Sequence, residues 1–135
     1  MPNRTYALEW YELARRNLET ARVLIREKHF TDSIALEIHQ ALEKSFKAIY
    51  AYHGISIPRT HALPLLFSFV QEKTRISETI SGDLIIISDY YQSERYPGPR
   101  YFVPDREEVE RYFDFAEEIL NTVFNYLHRE KKIES

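Results

Sequence analysis

Apolar side chains recur at three- and four-residue intervals through nearly all of this sequence, and no stretch alternates apolar with polar residues long enough to make a strand. A chain written in that period has to bury helical stripes against one another, which makes it all-α. The cleanest stripe is the last. Val109, Tyr112, Phe113, Ala116, Ile119, Leu120, Val123, Phe124 and Leu127 share one face, with Glu110, Arg111, Asp114, Glu117, Glu118 and Asn121 opposite. Asp105, with Glu108 three residues on, reads as a capping box at its start. The helix should end before the charged tail that begins at Arg129.

Four earlier stretches follow the same rule. Between about Tyr6 and Lys28, the residues Tyr6, Ala7, Trp10, Tyr11, Leu13, Ala14, Leu18, Ala21, Leu24 and Ile25 form one broad face, inside which Asn17 is expected to be hydrogen-bonded. A second helix starts near Thr31 or Asp32, both good N-caps, and stops at Gly54, with Pro58 following. Ile34, Ala35, Ile38, Ala41, Leu42, Ser45, Phe46, Ile49 and Tyr52 cover about half its circumference. Glu37, Gln40, Glu43, Lys44 and Lys47 hold the other side, with Glu43 and Lys47 ordered for an i,i+4 pair. His39 lies on the apolar arc and is expected to be a satisfied core or interface histidine rather than a general base.

Thr60 caps a shorter helix, His61 to about Lys73, with Pro64 near its first turn and Leu63, Leu66, Phe67 and Val70 facing inward. A polar connector, Thr74 to Gly82, leads to a helix capped by Ser81 or Asp83 and carrying Leu84, Ile85, Ile87, Tyr90 and Tyr91. Residues 1–135 then form a single domain, an up-and-down antiparallel bundle of four main helices plus a shorter fifth. The apolar arcs of the first two helices are wide for so small a core, which predicts a homodimer.

One segment is not required by such a bundle. From Asp89 to Pro104 the chain reads DYYQSERYPGPRYFVP, where Pro97, Gly98, Pro99 and Pro104 stop a helix. Arg95, Arg100 and Arg106 alternate there with Tyr90, Tyr91, Tyr96, Tyr101 and Phe102, guanidinium forks for phosphate beside flat faces for bases. Arg95, Tyr96, Arg100 and Tyr101 are therefore candidate ligand-binding residues, and His61 is a candidate phosphate donor or loop anchor.

Composition narrows the chemistry. The net charge of −3, from 18 basic and 21 acidic residues, gives no signal for DNA or any general polyanion, so a nucleic-acid contact has to be local. There is no cysteine, hence no disulfide or thiolate. The sequence shows neither a signal-peptide run nor a membrane span, and a cytoplasmic protein is expected. Many Glu, Arg and Tyr with few Asn and Gln suit a thermophile. Gly54, Gly82 and Gly98 lie too far apart for a phosphate-cradling loop. His29, His39, His53, His61 and His128 show no metal-ligand spacing, and no cofactor or metal is expected.

HQALEKSFKAIYAYHGISIPRTHAL, from His39 to Leu63, resembles the second-helix signature of HEPN domains, a QA-x-EK-x-x-KA pattern followed by a glycine, a proline and a TH-x-L helix start. SDYYQSERYPG, from Ser88 to Gly98, is similar to the same family's segment before its last helix, and the likeness begins with Trp10. The resemblance implies a bundle that dimerises, often with the loop arginines of both subunits in a shared cleft. It also implies a frequent pairing with a minimal nucleotidyltransferase and, in a large subset, metal-independent ribonuclease activity as a toxin or defence effector.

The family's active motif is an arginine followed after four to six residues by a histidine. The arginine would be Arg95, but the histidine's positions hold Arg100, Tyr101 and Phe102. Arg22 and His29 match the spacing on the first helix, where the family does not use it. A guanidinium is a poor base for a 2′-hydroxyl. The expectation is therefore a non-catalytic nucleotide- or RNA-binding module working with a nucleotidyltransferase, Arg95 and Arg100 on phosphate and Tyr96 or Tyr101 on a base. The alternative is a divergent ribonuclease using Arg95 with His61 or His39. In some such pairs a loop tyrosine two residues beyond the motif histidine receives nucleotides; Phe102 holds that place, with Tyr101 offset by one.

Overall fold

In the computed structural model the backbone is described for residues 3–95 and 103–129, and side chains for all of these except 92–95. The elements are α1 (Arg4–Arg26), α2 (Thr31–Tyr52), α3 (Leu63–Thr74), a 3₁₀ turn (Glu78–Ile80), α4 (Ser81–Arg95) and α5 (Arg106–Leu127). The all-α bundle expected from the apolar period is what forms.

α2 is its axis, packed against α1, α3, α4 and α5. Fifteen of its 22 residues are buried, so its wide apolar arc is covered within one chain and needs no second copy. Contacts at the helix ends give the directions. The Asn3 amide donates to the Tyr52 carbonyl (2.7 Å), joining the start of α1 to the end of α2, and Arg106 Nη2 donates to the His29 carbonyl (2.8 Å), joining the start of α5 to the end of α1. α1, α2, α4 and α5 thus run up, down, up and down.

The short α3 is the exception. The chain leaves α2 through Gly54, whose φ of 66° lies in the left-handed region glycine tolerates. The Ile55 amide reaches the Tyr50 carbonyl (3.0 Å) and the Gly54 amide the Ala51 carbonyl (3.1 Å), a Schellman close. The connection then doubles back along α2, so α3 descends beside it in the same direction, with Phe67 against Phe46 and Phe69 against Tyr50.

Several boundaries differ from the sequence reading. α1 ends at Arg26 because Lys28 takes the left-handed conformation (φ 54°), and the His29 amide closes onto the Leu24 carbonyl (2.9 Å). The N-cap of α2 is Phe30, which has no capping side chain; Asp32 bonds the Ser33 amide instead (2.9 Å). α3 begins at Leu63, two residues late, since Thr60 closes a turn onto the Ala62 amide (3.1 Å) ahead of the helix. Asp105 does cap α5 through the Glu108 amide (2.8 Å), but the Glu108 carboxylate accepts the Tyr90 hydroxyl of α4. That bond and Tyr112 Oη to Asp83 Oδ1 (3.2 Å) tie α4 to α5.

Asn17 is hydrogen-bonded as expected, donating to Glu37 Oε1 (2.8 Å) and accepting from Lys44 Nζ (2.9 Å) across the α1–α2 seam. Tyr6, Leu13, Ile85 and Phe124, placed on apolar faces by periodicity, stay exposed. Among the described residues no helix is long and apolar enough to cross a membrane.

Candidate functional site

Because the α2–α3 connection folds back, it lowers His61 onto the middle of α2, against His39 and Glu43. His39, Glu43 and Lys47 stand at i, i+4 and i+8 and so form one stripe along α2. That stripe is inside the protein: Glu43 and Lys47, expected on the outer side, are 4% and 8% exposed, because α2 is surrounded rather than covered on one side. The expected ion pair forms, with Lys47 Nζ 2.8 Å from Glu43 Oε2, and Lys47 also lies 5.9 Å from the centre of the Trp10 ring of α1.

The Glu43 carboxylate has a second donor. His61 Nδ1 sits 3.1 Å from both of its oxygens, so an Nδ1–H donates to a buried carboxylate. The His61 side chain is 54% exposed, and its ring is stacked on Tyr91 of α4, with centroids 4.5 Å apart and planes 22° apart. With Nδ1 committed to Glu43, Nε2 is left as the atom with a free lone pair.

His39 completes the group from below. Its Nε2 lies 2.9 Å from the His61 carbonyl oxygen, which can only accept, so this nitrogen carries the proton. Its Nδ1 is buried without a hydrogen-bond partner among the described residues, 3.6 Å from Glu43 Oε1. Burial pushes the His39 imidazole down to about 4, against the opposing pull of Glu43, and keeps it neutral. His39 is a half-satisfied core histidine rather than the fully satisfied one expected.

Of the candidate ligand-binding residues, only His61 has its side chain placed here, beside His39, the other histidine considered as a base, and Tyr91 of the aromatic segment. Arg95 is the last residue of α4, four residues after Tyr91 and hence one turn on along the same side of that helix. Tyr96, Arg100 and Tyr101, with Phe102, lie outside the described residues. Arg106 is anchored on the His29 carbonyl. The sequence reading missed Glu43, Lys47 and Tyr91 as neighbours of His61. Among the described residues no cluster of three His, Cys, Asp or Glu side chains is placed to hold a metal ion.

A carboxylate that fixes one ring nitrogen of an exposed imidazole leaves the other to take or give a proton. The ring stacks on Tyr91, one turn before the last residue of α4.

The HEPN domain model matches residues 7–131. A relative from Methanocaldococcus jannaschii, described as "Putative toxin MJ1304", is 30% identical over 133 residues, covering 93% of this chain and 86% of that protein. The crystal structure of TT1696 from Thermus thermophilus superimposes with a TM-score of 0.73 at 23% identity, covering 89% of this chain and 97% of the other. ST0689, described as an archaeal HEPN homologue, superimposes with a TM-score of 0.70 at 22% identity, covering 90% and 97%. At those identities the two structures speak to the fold, which they share with this chain.

Proposed function

The chain belongs to the HEPN family, and from that premise we propose that it is a toxin-type protein which binds RNA at the edge between His61 and the end of α4 and cleaves it without a metal ion. The observation that carries this reading is the Glu43–His61 pair, with Nδ1 at 3.1 Å from the carboxylate and the His61 side chain 54% exposed. A histidine missing from the positions after Arg95 argued for binding without catalysis; an imidazole stacked on Tyr91, itself one helical turn before Arg95, is offered for the same chemical need. His61 Nε2 takes the proton of a ribose 2′-hydroxyl, and the alkoxide attacks the adjacent phosphorus. The bond to the 5′-oxygen breaks, leaving a 2′,3′-cyclic phosphate, and the proton returns to the departing 5′-oxygen. Arg95 supplies positive charge for the phosphorane.

Digestion of labelled single-stranded RNA in excess chelator tests this. Cleavage is expected from the wild type and a loss of about 10²-fold or more from His61→Ala and from Arg95→Ala. Equal digestion by wild type and both variants would make any activity a contaminant and remove the reading.

One observation favours a second reading, the binding module that works with a minimal nucleotidyltransferase. In the sequence Arg100 stands at a position where the family's motif has its histidine, with Tyr96 and Tyr101 nearby in the chain as candidates to stack on a base. RNA that is bound in an Arg95- and Arg100-dependent, salt-sensitive manner yet remains intact would select this alternative. The homodimer belongs to both proposals, with Tyr6 and Leu13 of α1 as exposed apolar surface available to it.

A further inference from the structure

We propose that Glu43 and His39 are positioning residues that set which nitrogen of His61 carries the proton, Glu43 through the ring and His39 through the backbone. This rests on the reading of His61 as the proton acceptor, and it assigns the atom and the groups that select it.

Free imidazole side chains favour the tautomer protonated on Nε2, in which the outward nitrogen is a donor and cannot take a proton. The opposite tautomer needs an acceptor at Nδ1, and the buried Glu43 carboxylate, 3.1 Å away on both oxygens, is that acceptor. A carboxylate so far from water would be costly alone. Lys47 Nζ, at 2.8 Å, supplies the balancing charge and leaves Glu43 an anion with lone pairs to spare for His61.

His39 contributes in two ways. Its Nε2–H holds the carbonyl of His61 at 2.9 Å, fixing the backbone from which the His61 ring projects. The same bond turns its Nδ1 lone pair toward Glu43 Oε1 at 3.6 Å, two acceptors facing without a proton between them. An otherwise unexplained orphan atom is thus the consequence of spending the His39 proton on the His61 backbone. His39 gives nothing to Glu43, and the carboxylate is shared by His61 and Lys47 alone among these groups. Tyr91 of α4 covers one face of the His61 ring, so that stack and the Nδ1 bond to Glu43 together oppose rotation about its side-chain bonds.

The test reads tautomers directly. Imidazole ¹⁵N–¹H correlation spectra of the full chain at pH 8 are expected to show His61 protonated on Nδ1 and His39 on Nε2. The double variant Glu43→Leu/Lys47→Met removes the buried pair together, so no lone buried charge is left to unfold the protein. In it His61 is expected to revert to the Nε2-protonated form, with kcat for RNA falling at least about tenfold while KM stays within about twofold. His39→Gln, which keeps a donor, should preserve both the His61 tautomer and most of kcat; His39→Leu should lower kcat. His61 protonated on Nε2 in the wild type, or unchanged in the double variant, overturns the assignment. If no RNA is cleaved by any protein, the catalytic reading fails while the spectra still decide this one.

Discussion

The His61 ring lies over the Tyr91 ring with centroids 4.5 Å apart and planes 22° apart, a stack between the loop that enters α3 and the last turns of α4. It is a long-range contact with a local purpose, since an exposed imidazole on a loop would otherwise sample many rotamers. Tyr91→Ala is expected to cost about 1 kcal/mol of stability and to release the His61 ring, whereas Tyr91→Phe keeps the stack. Urea unfolding measures the first effect and the ring-current shift of the His61 Cε1 proton the second. An unmoved proton resonance in Tyr91→Ala would mean that the stack does not persist in solution.

His39 makes stability depend on pH in a direction that its burial dictates. Its folded-state value is pushed down to about 4, below the ordinary 6.5 it regains on unfolding. Above pH 6.5 both states are neutral there and His39 contributes no pH dependence. As pH falls from 6.5 toward 4 the unfolded chain takes up a proton that the folded one refuses, so stability drops, by on the order of 3 kcal/mol. The drop levels off below 4. Urea midpoints at pH 7 and pH 4.5 should therefore differ more for the wild type than for His39→Gln, which cannot titrate. The same difference in both proteins would assign the acid sensitivity to other groups.

The class of fold was legible because helical period is a local property. The inward residues of α3, Leu63, Leu66, Phe67 and Val70, are all buried, and α5 buries every residue of its expected face except Phe124. The ends were less legible for a specific reason: Lys28 and Arg75 occupy left-handed conformations that a reader expects of glycine or asparagine. The site was hidden by a different cause. Glu43 and Lys47 look like solvent-facing charge beside an apolar arc, and only the return of the α2–α3 connection along α2 brings His61 to them across 18 residues of sequence. One signal was available. His39, Glu43 and Lys47 repeat at four-residue intervals, which puts a titratable stripe along one side of the most apolar long helix, and a buried carboxylate in such a stripe has to find donors.

The spacing of Arg22 and His29 imitates the family's catalytic pattern and separates geometry from motif. Arg22 is already engaged: its Nη2 lies 2.7 Å from Glu117 Oε2 of α5, its Nε 3.2 Å from Glu19, and its guanidinium 5.0 Å from the Phe113 ring. It fastens α1 to α5. These are solvent-exposed contacts, worth about 1 kcal/mol or less together. His29 is exposed, its ring edge-on to Phe30 and its carbonyl taken by Arg106, at the opposite end of α1 from the entry at Asn3. Arg22→Ala should lower the melting temperature by a few degrees, roughly 3–4 °C per kcal/mol for a domain of this length. Its RNA affinity and cleavage should match the wild type, in contrast to Arg95→Ala. Loss of RNA binding in Arg22→Ala at a temperature where the variant is folded would move the site to the α1–α5 face and away from His61.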